Sequence, residues 1–99
     1  MAAYLLAEIE VTDPEGFEAY RRDVPALISR FGGRYLARGG AAEVLEGDRA
    51  LKRTVLLEFP DMATLKAFYA SPAYQPLLAL RMRSSNSDVL VFEGVVTSA

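Results

Sequence analysis

Apolar and polar positions alternate along Tyr4–Val11, with Leu5, Ala7, Ile9 and Val11 on one side and Tyr4, Leu6, Glu8 and Glu10 on the other. Side chains on a strand point to opposite faces in turn, so this segment reads as a strand whose two faces are both worth burying. A helix is announced by Asp13-Pro14-Glu15: Asp13 can cap free amides, Pro14 suits the first turn and Glu15 favours the positive end of the dipole. Phe17, Tyr20, Val24, Leu27, Ile28 and Phe31 then recur every three or four residues, the mark of one buried stripe. Pro25 lies inside that run and is expected to kink the helix or mark a restart. Gly32-Gly33 supplies a left-handed stop.

The period then shifts to two. Arg34–Arg38 reads as a strand, Gly39-Gly40 as a turn, and Ala42–Glu46 as a second extended stretch before Gly47-Asp48 turns the chain again. Lys52–Phe59 is a clear strand, with Arg53, Val55, Leu57 and Phe59 on one face and Thr54, Leu56 and Glu58 on the other. Pro60 ends it, and Asp61 can cap a helix carrying Leu65, Phe68 and Tyr69. Ser71-Pro72 repeats the capping pattern for a further turn, and Pro76 sets off Leu77–Arg83 as a separate short helix. Ser84–Ser87 reads as a polar connection and Asp88–Val95 as the last strand.

The order β-α-β-β-α-β, with an extra helical turn, matches the split βαβ or ferredoxin-like unit, an α+β fold with two helices on one face of a four-stranded antiparallel sheet. Leu5, Ala7, Ile9, Val11, Val55, Leu57, Phe59, Val89 and Val91 are expected on the helix side. Tyr4, Leu6, Leu36, Leu56, Leu90 and Phe92 fall on the opposite side. At roughly 1.5 to 3 kcal/mol for each large apolar side chain, that second face is worth on the order of 10 kcal/mol when buried. Association costs about 4 to 15 kcal/mol, so a well-matched partner can cover the face, and pairing with a second copy about a two-fold axis is the commonest solution. Glu8, Glu10, Arg38 and Glu58 share the face by parity. Charges there must pair, reach a wet cavity or lie at the rim, so Arg38 with Glu58 or Glu8 is either an ion pair inside a dimer or the polar floor of a pocket.

Composition narrows the chemistry. The chain has 99 residues, which suits one domain (1–99, with a core of 4–95), and its apolar runs fall short of the roughly 18 to 20 residues of a membrane helix. It enters its first strand without the marks of a signal peptide, so a soluble, cytoplasmic protein is expected. The absence of cysteine removes disulfides and thiolate chemistry, and the absence of histidine removes the side chain that titrates near neutrality. Haem ligation through histidine and ordinary zinc sites go with them, so neither metal nor cofactor is expected. A net charge of −2 argues against a nucleic-acid partner, which needs a basic surface. Gly32-Gly33 and Gly39-Gly40 do not lead from a strand into a helix and are therefore not phosphate loops.

The most chemically distinctive stretch is Phe68–Pro76 followed by Arg81. The phenols of Tyr69 and Tyr74, the Ser71 hydroxyl and the Arg81 guanidinium can hold a small carboxylate or phenol. Equally, the tyrosines can fill the edge of the core while Ser71 and Arg81 serve helix ends.

These residues resemble a known family. Gly32–Gly40, Val44-Leu45-Glu46-Gly47, Glu58-Phe59-Pro60-Asp61, Phe68-Tyr69-x-Ser71-Pro72-x-Tyr74-Gln75, Arg81 and Val91-Phe92-Glu93-Gly94 are similar to the DUF1330 domain of the dimeric α/β-barrel superfamily, over residues 4–95. The sequence departs from the pattern at Arg49-Ala50-Leu51, where many relatives carry a tryptophan. The resemblance implies a homodimer in which two sheets face each other, and no established activity. Superfamily relatives include cofactor-free monooxygenases, lactone isomerases, haem-degrading enzymes and stress-responsive barrels, among which fold alone does not choose. It further implies a small-molecule cleft between sheet and helices, bounded by Arg38, Glu58, Tyr69, Tyr74 and Arg81. Three readings stay open: a cofactor-free enzyme acting on a small aromatic or acidic metabolite, a noncatalytic ligand-binding or stress-related barrel, and a structural interaction module.

Overall fold

A computed structural model describes residues 1–95. The elements run β1 (Ala3–Val11), α1 (Pro14–Arg30), β2 (Arg34–Arg38), β3 (Arg53–Phe59), α2 (Met62–Ala70), α3 (Gln75–Ser84) and β4 (Ser85–Glu93). The strands form one antiparallel sheet in the order β2-β3-β1-β4. This is the α+β, ferredoxin-like arrangement. Among the described residues no helix is long and apolar enough to cross a membrane.

Local chemistry sets the helix starts. The Asp13 carboxylate accepts from the Gly16 amide and the Asp61 carboxylate from the Thr64 amide at 2.7 Å, each satisfying a donor that the first helical turn leaves free. Pro25 does not end α1. Phe17 and Val24 before it and Leu27 and Ile28 after it are all buried in the same core, and this packing carries the helix through the missing hydrogen bond. At the C-terminal end only Gly32 is left-handed, with φ +77°. Gly33 serves close packing instead: a Cβ there would stand 2.7 Å from the Phe59 ring and 2.8 Å from Ile28.

Ala3, Leu5, Ala7 and Ile9 of β1 and Leu57 and Phe59 of β3 are buried beneath the helices, together with Leu65, Phe68 and Tyr74. Val11, Val55 and Val89 pack against them partly buried, while Val91 on the edge strand β4 is exposed.

Two of the expected segments are wrong, and the separate short helix after Ser71-Pro72 is present but starts two residues earlier than expected. The stretch Ala42–Glu46 is not a strand; it lies in an irregular, exposed excursion between β2 and β3, because no neighbouring strand pairs with it. Ser84–Ser87 is not a loop. The α3 helix ends at Ser84 and β4 begins at Ser85, where pairing of Ser85 with Val11 and Ser87 with Ile9 overrides the weak strand preference of serine. Pro76 sits in the first turn of α3, where its missing amide costs nothing, so the helix starts at Gln75.

The third strand pairing holds a further irregularity. Tyr35 lies opposite Leu57 but Ala37 opposite Leu56, so β2 carries one extra residue, Leu36, in a bulge. The bulge reverses parity, and Arg38 falls opposite Val55 on the helix side. Strict alternation would have left Arg38 on the open face.

Candidate functional site

The β1–β3 and β1–β4 registers place Arg53, Ile9 and Ser87 in one row across the sheet, and Val55, Ala7 and Val89 in the next, with Arg38 beside Val55. This row structure sets the floor of a partly open cavity between sheet and helices. The walls are apolar, from Val24, Ile28 and Phe68 among others, and aromatic, from Tyr20, Tyr35, Tyr69 and Tyr74. Arg21, Arg38, Arg53 and Arg81 complete the lining, and among the described residues no carboxylate lines it. A more open, polar depression, lined by Lys52, Ser85, Asn86 and Ser87, shares Tyr69 and Arg81 with the cavity.

Each polar group is held from a defined element. Tyr74 precedes α3 and is 3 % exposed; its hydroxyl meets that of Tyr20, from α1, at 2.8 Å. Burial, reinforced by the neighbouring Tyr74, pushes the Tyr20 phenol far above its usual value, so it stays protonated. Burial also raises Tyr35, against the opposing pull of Arg38, whose guanidinium lies 4.4 Å from the Tyr35 ring centre. Arg81, from α3, is 3 % exposed and donates to the Ser87 hydroxyl at 2.5 Å and, weakly, to the Tyr69 hydroxyl at 3.5 Å. Burial works against its charge, but Tyr74 and Tyr20 outweigh that effect and hold its pKa above the usual arginine value.

The Arg53 guanidinium packs close to Gly39, where a Cβ would come within 2.6 Å of it; Gly39 is also left-handed, with φ +66°. Its Nε is buried without a hydrogen-bond partner. None of Arg38, Arg53 and Arg81 forms an ion pair among the described residues.

Of the residues singled out from sequence, the fold brings Arg38, Tyr69, Tyr74 and Arg81 together around this cavity. Glu58 is not with them. Its register opposite Tyr4 and Arg34 puts it on the other face, where it accepts from Arg34 at 2.7 Å and from the Tyr4 hydroxyl at 3.2 Å. The Arg34 hydrogen bond is the main reason its carboxyl is held below the usual value. The expected pairing of Arg38 with Glu58 or Glu8 does not form; Glu8 is paired with Arg49 from the excursion before β3. Glu10 accepts from Asn86, and Lys52 lies 3.8 Å from Asp88. Tyr20, Tyr35 and Arg53 join the cavity through tertiary placement. A signal existed for Arg53, a charged residue sharing its strand face with Val55, Leu57 and Phe59.

The open face carries an apolar band in its middle. Leu56, Leu6 and Leu90 are aligned by register, and Tyr4 stacks on Phe92 with ring centres 5.5 Å apart. Leu90 is 52 % and Phe92 42 % exposed, so the band is largely uncovered in the single chain.

A ferredoxin-like sheet with helices on one face and a tyrosine- and arginine-lined cavity beneath them defines the class. Within that class the chain belongs to the family described as a domain of unknown function, DUF1330, whose model matches residues 2–95. Among curated proteins nothing matches. The fold is similar to that of a protein of unknown function from Rhodopseudomonas palustris, with a TM-score of 0.77 and 19 % identity over 97 % of this chain and 84 % of that one. The cofactor-independent oxygenase SnoaB from Streptomyces nogalater has a TM-score of 0.65 and 17 % identity, covering 97 % of this chain and 95 % of SnoaB. A dimeric ferredoxin-like protein of unknown function from a Jannaschia species also has a TM-score of 0.65 and 17 % identity, over 95 % of this chain and 100 % of that one.

Proposed function

We propose that this protein is a small-molecule-binding homodimer whose cavity, bounded by Arg38, Tyr69, Tyr74 and Arg81, takes a small aromatic or acidic molecule. The observation that carries this reading is the convergence of phenols and guanidiniums from five elements on one small, partly apolar cavity of about 50 Å³. The absence of a carboxylate partner for the buried Arg81 among the described residues favours this reading over a purely structural module. The homodimer is supported by the uncovered band of Leu6, Leu56, Leu90 and Phe92 and by the dimeric state of the Jannaschia protein of the same fold. A thermal-shift screen of small aromatic and carboxylic metabolites tests the binding reading. A ligand at a hundred times its dissociation constant adds about 2.7 kcal/mol to stability, a readily measured rise in melting temperature. A screen in which no compound raises the melting temperature contradicts it.

A cofactor-free enzyme is the second reading, favoured by the 2.8 Å contact of the Tyr20 and Tyr74 hydroxyls beside Arg81, a route for a proton next to a cationic group. It expects turnover of a screened compound by the pure protein, lost in Tyr74→Phe and in Arg38→Ala. Turnover that both variants retain contradicts it.

A further inference from the structure

We propose that the cavity selects organic anions over neutral molecules of the same shape, with the buried guanidinium of Arg81 as the recognition group and Arg38 and Arg53 beside it. The inference rests on the small-molecule reading above and sharpens it to a charge class.

Arg81 is 3 % exposed, and its hydrogen-bond partners are the neutral hydroxyls of Ser87 and Tyr69, the second at the limit of a hydrogen bond. The surrounding tyrosines hold that charge in place, yet among the described residues no carboxylate neutralises it. The sheet register brings two more cations to the same end of the cavity. Arg53 stands in the row of Ile9 and Ser87, the hydroxyl that Arg81 touches, and Arg38 stands one row along. The Arg53 guanidinium also has no carboxylate partner among the described residues, and its buried Nε meets no acceptor.

The chain does not lack carboxylates; it places them elsewhere. Its net charge is −2, yet Glu8, Glu58 and Asp88 lie on the opposite face of the sheet, engaged by Arg49, Arg34 and Lys52. A second copy docking on that open face would not bring its carboxylates into the cavity, which is on the helix side. Guanidiniums only donate, and the Tyr20 phenol stays protonated, so the wall offers donors and wants acceptors. A planar carboxylate matches a guanidinium with two parallel hydrogen bonds, and the apolar side of the cavity favours a hydrocarbon body behind that head.

The test uses matched probes on the whole protein in a buffer free of organic anions: benzoate with benzamide, and isobutyrate with isobutyramide, each followed by NMR on 15N-labelled protein. The expected result is that, in at least one pair, the anion binds at least roughly tenfold tighter than its amide, a difference of about 1.4 kcal/mol, and moves the Arg81 Nε–H resonance. In Arg81→Met the anion's advantage falls below about threefold while the backbone spectrum stays folded. Should Arg81→Met not fold, Arg38→Gln, at an exposed position of an edge strand, gives the same readout, with a reduced preference expected and an unchanged one contrary. Amides that bind as tightly as the acids overturn the charge inference and leave the small-molecule reading intact. Binding of none of the four probes overturns both. Anion binding that shifts only exposed arginines such as Arg22, Arg30 and Arg83 overturns the assignment to the cavity.

Discussion

The two faces of this sheet differ in how they treat charge. On the open face each carboxylate has a partner: Glu58 with Arg34, Glu8 with Arg49, Glu10 with Asn86 and Asp88 with Lys52, all around a half-exposed apolar band. On the helix face the large side chains are buried, yet Arg38, Arg53 and Arg81 stand there without a carboxylate. An apolar band with satisfied charges at its ends is a surface for another apolar surface. Guanidiniums without carboxylates, that of Arg81 buried, make the proposed site suited to a molecule that brings its own negative charge. The contrast supports the proposed division of assembly and binding between the two sides of one sheet.

The largest effect is expected in the core on the helix face. Phe68 is 1 % exposed and touches the rings of Phe59, Phe31 and Tyr74, so Phe68→Ala is expected to cost about 3 to 5 kcal/mol in urea unfolding. On the open face, Phe92→Asp is expected to abolish self-association while the protomer stays folded. Gel filtration with light scattering reads this, and an unchanged particle mass would move the interface elsewhere. Removing the Tyr20 hydroxyl sharpens the cavity side: Tyr20→Phe breaks its 2.8 Å hydrogen bond with Tyr74 and is expected to cost about 1 kcal/mol, seen as a lower urea midpoint with an unchanged slope.

The smallest effect is the pH dependence of the Glu58–Arg34 pair. The folded carboxyl titrates below its ordinary 4.5, chiefly through the Arg34 hydrogen bond, so its contribution is complete above that value and is lost as pH falls through the lower folded value. Glu58→Gln is expected to flatten that part of the acid limb of stability and to leave neutral pH almost unchanged, because the Arg34 side chain is 69 % exposed.

Much of this architecture is legible in the chain because its signals are local. The Asp13-Pro14 and Asp61 caps, the Phe17–Phe31 stripe and the alternation along Tyr4–Val11 and Arg53–Phe59 need no tertiary information to be read. The parts that escape depend on pairing. The bulge at Leu36 exists only against β3, and it alone carries Arg38 to the helix face. Serines at the start of β4 become strand because β1 lies beside them, and Ala42–Glu46 fails to because nothing does. The cavity is half legible for the same reason. Tyr69, Tyr74 and Arg81 lie near one another in sequence, whereas Tyr20 and Tyr35 reach them only through the packing of α1 and β2 on the rest.

Sedimentation equilibrium at micromolar concentration tests the division of the two faces most directly. The expected result is a particle of twice the chain mass of 10.8 kDa, dispersed to single chains by Phe92→Asp. A well-folded wild-type particle of 10.8 kDa would mean that the open apolar band is no interface between copies.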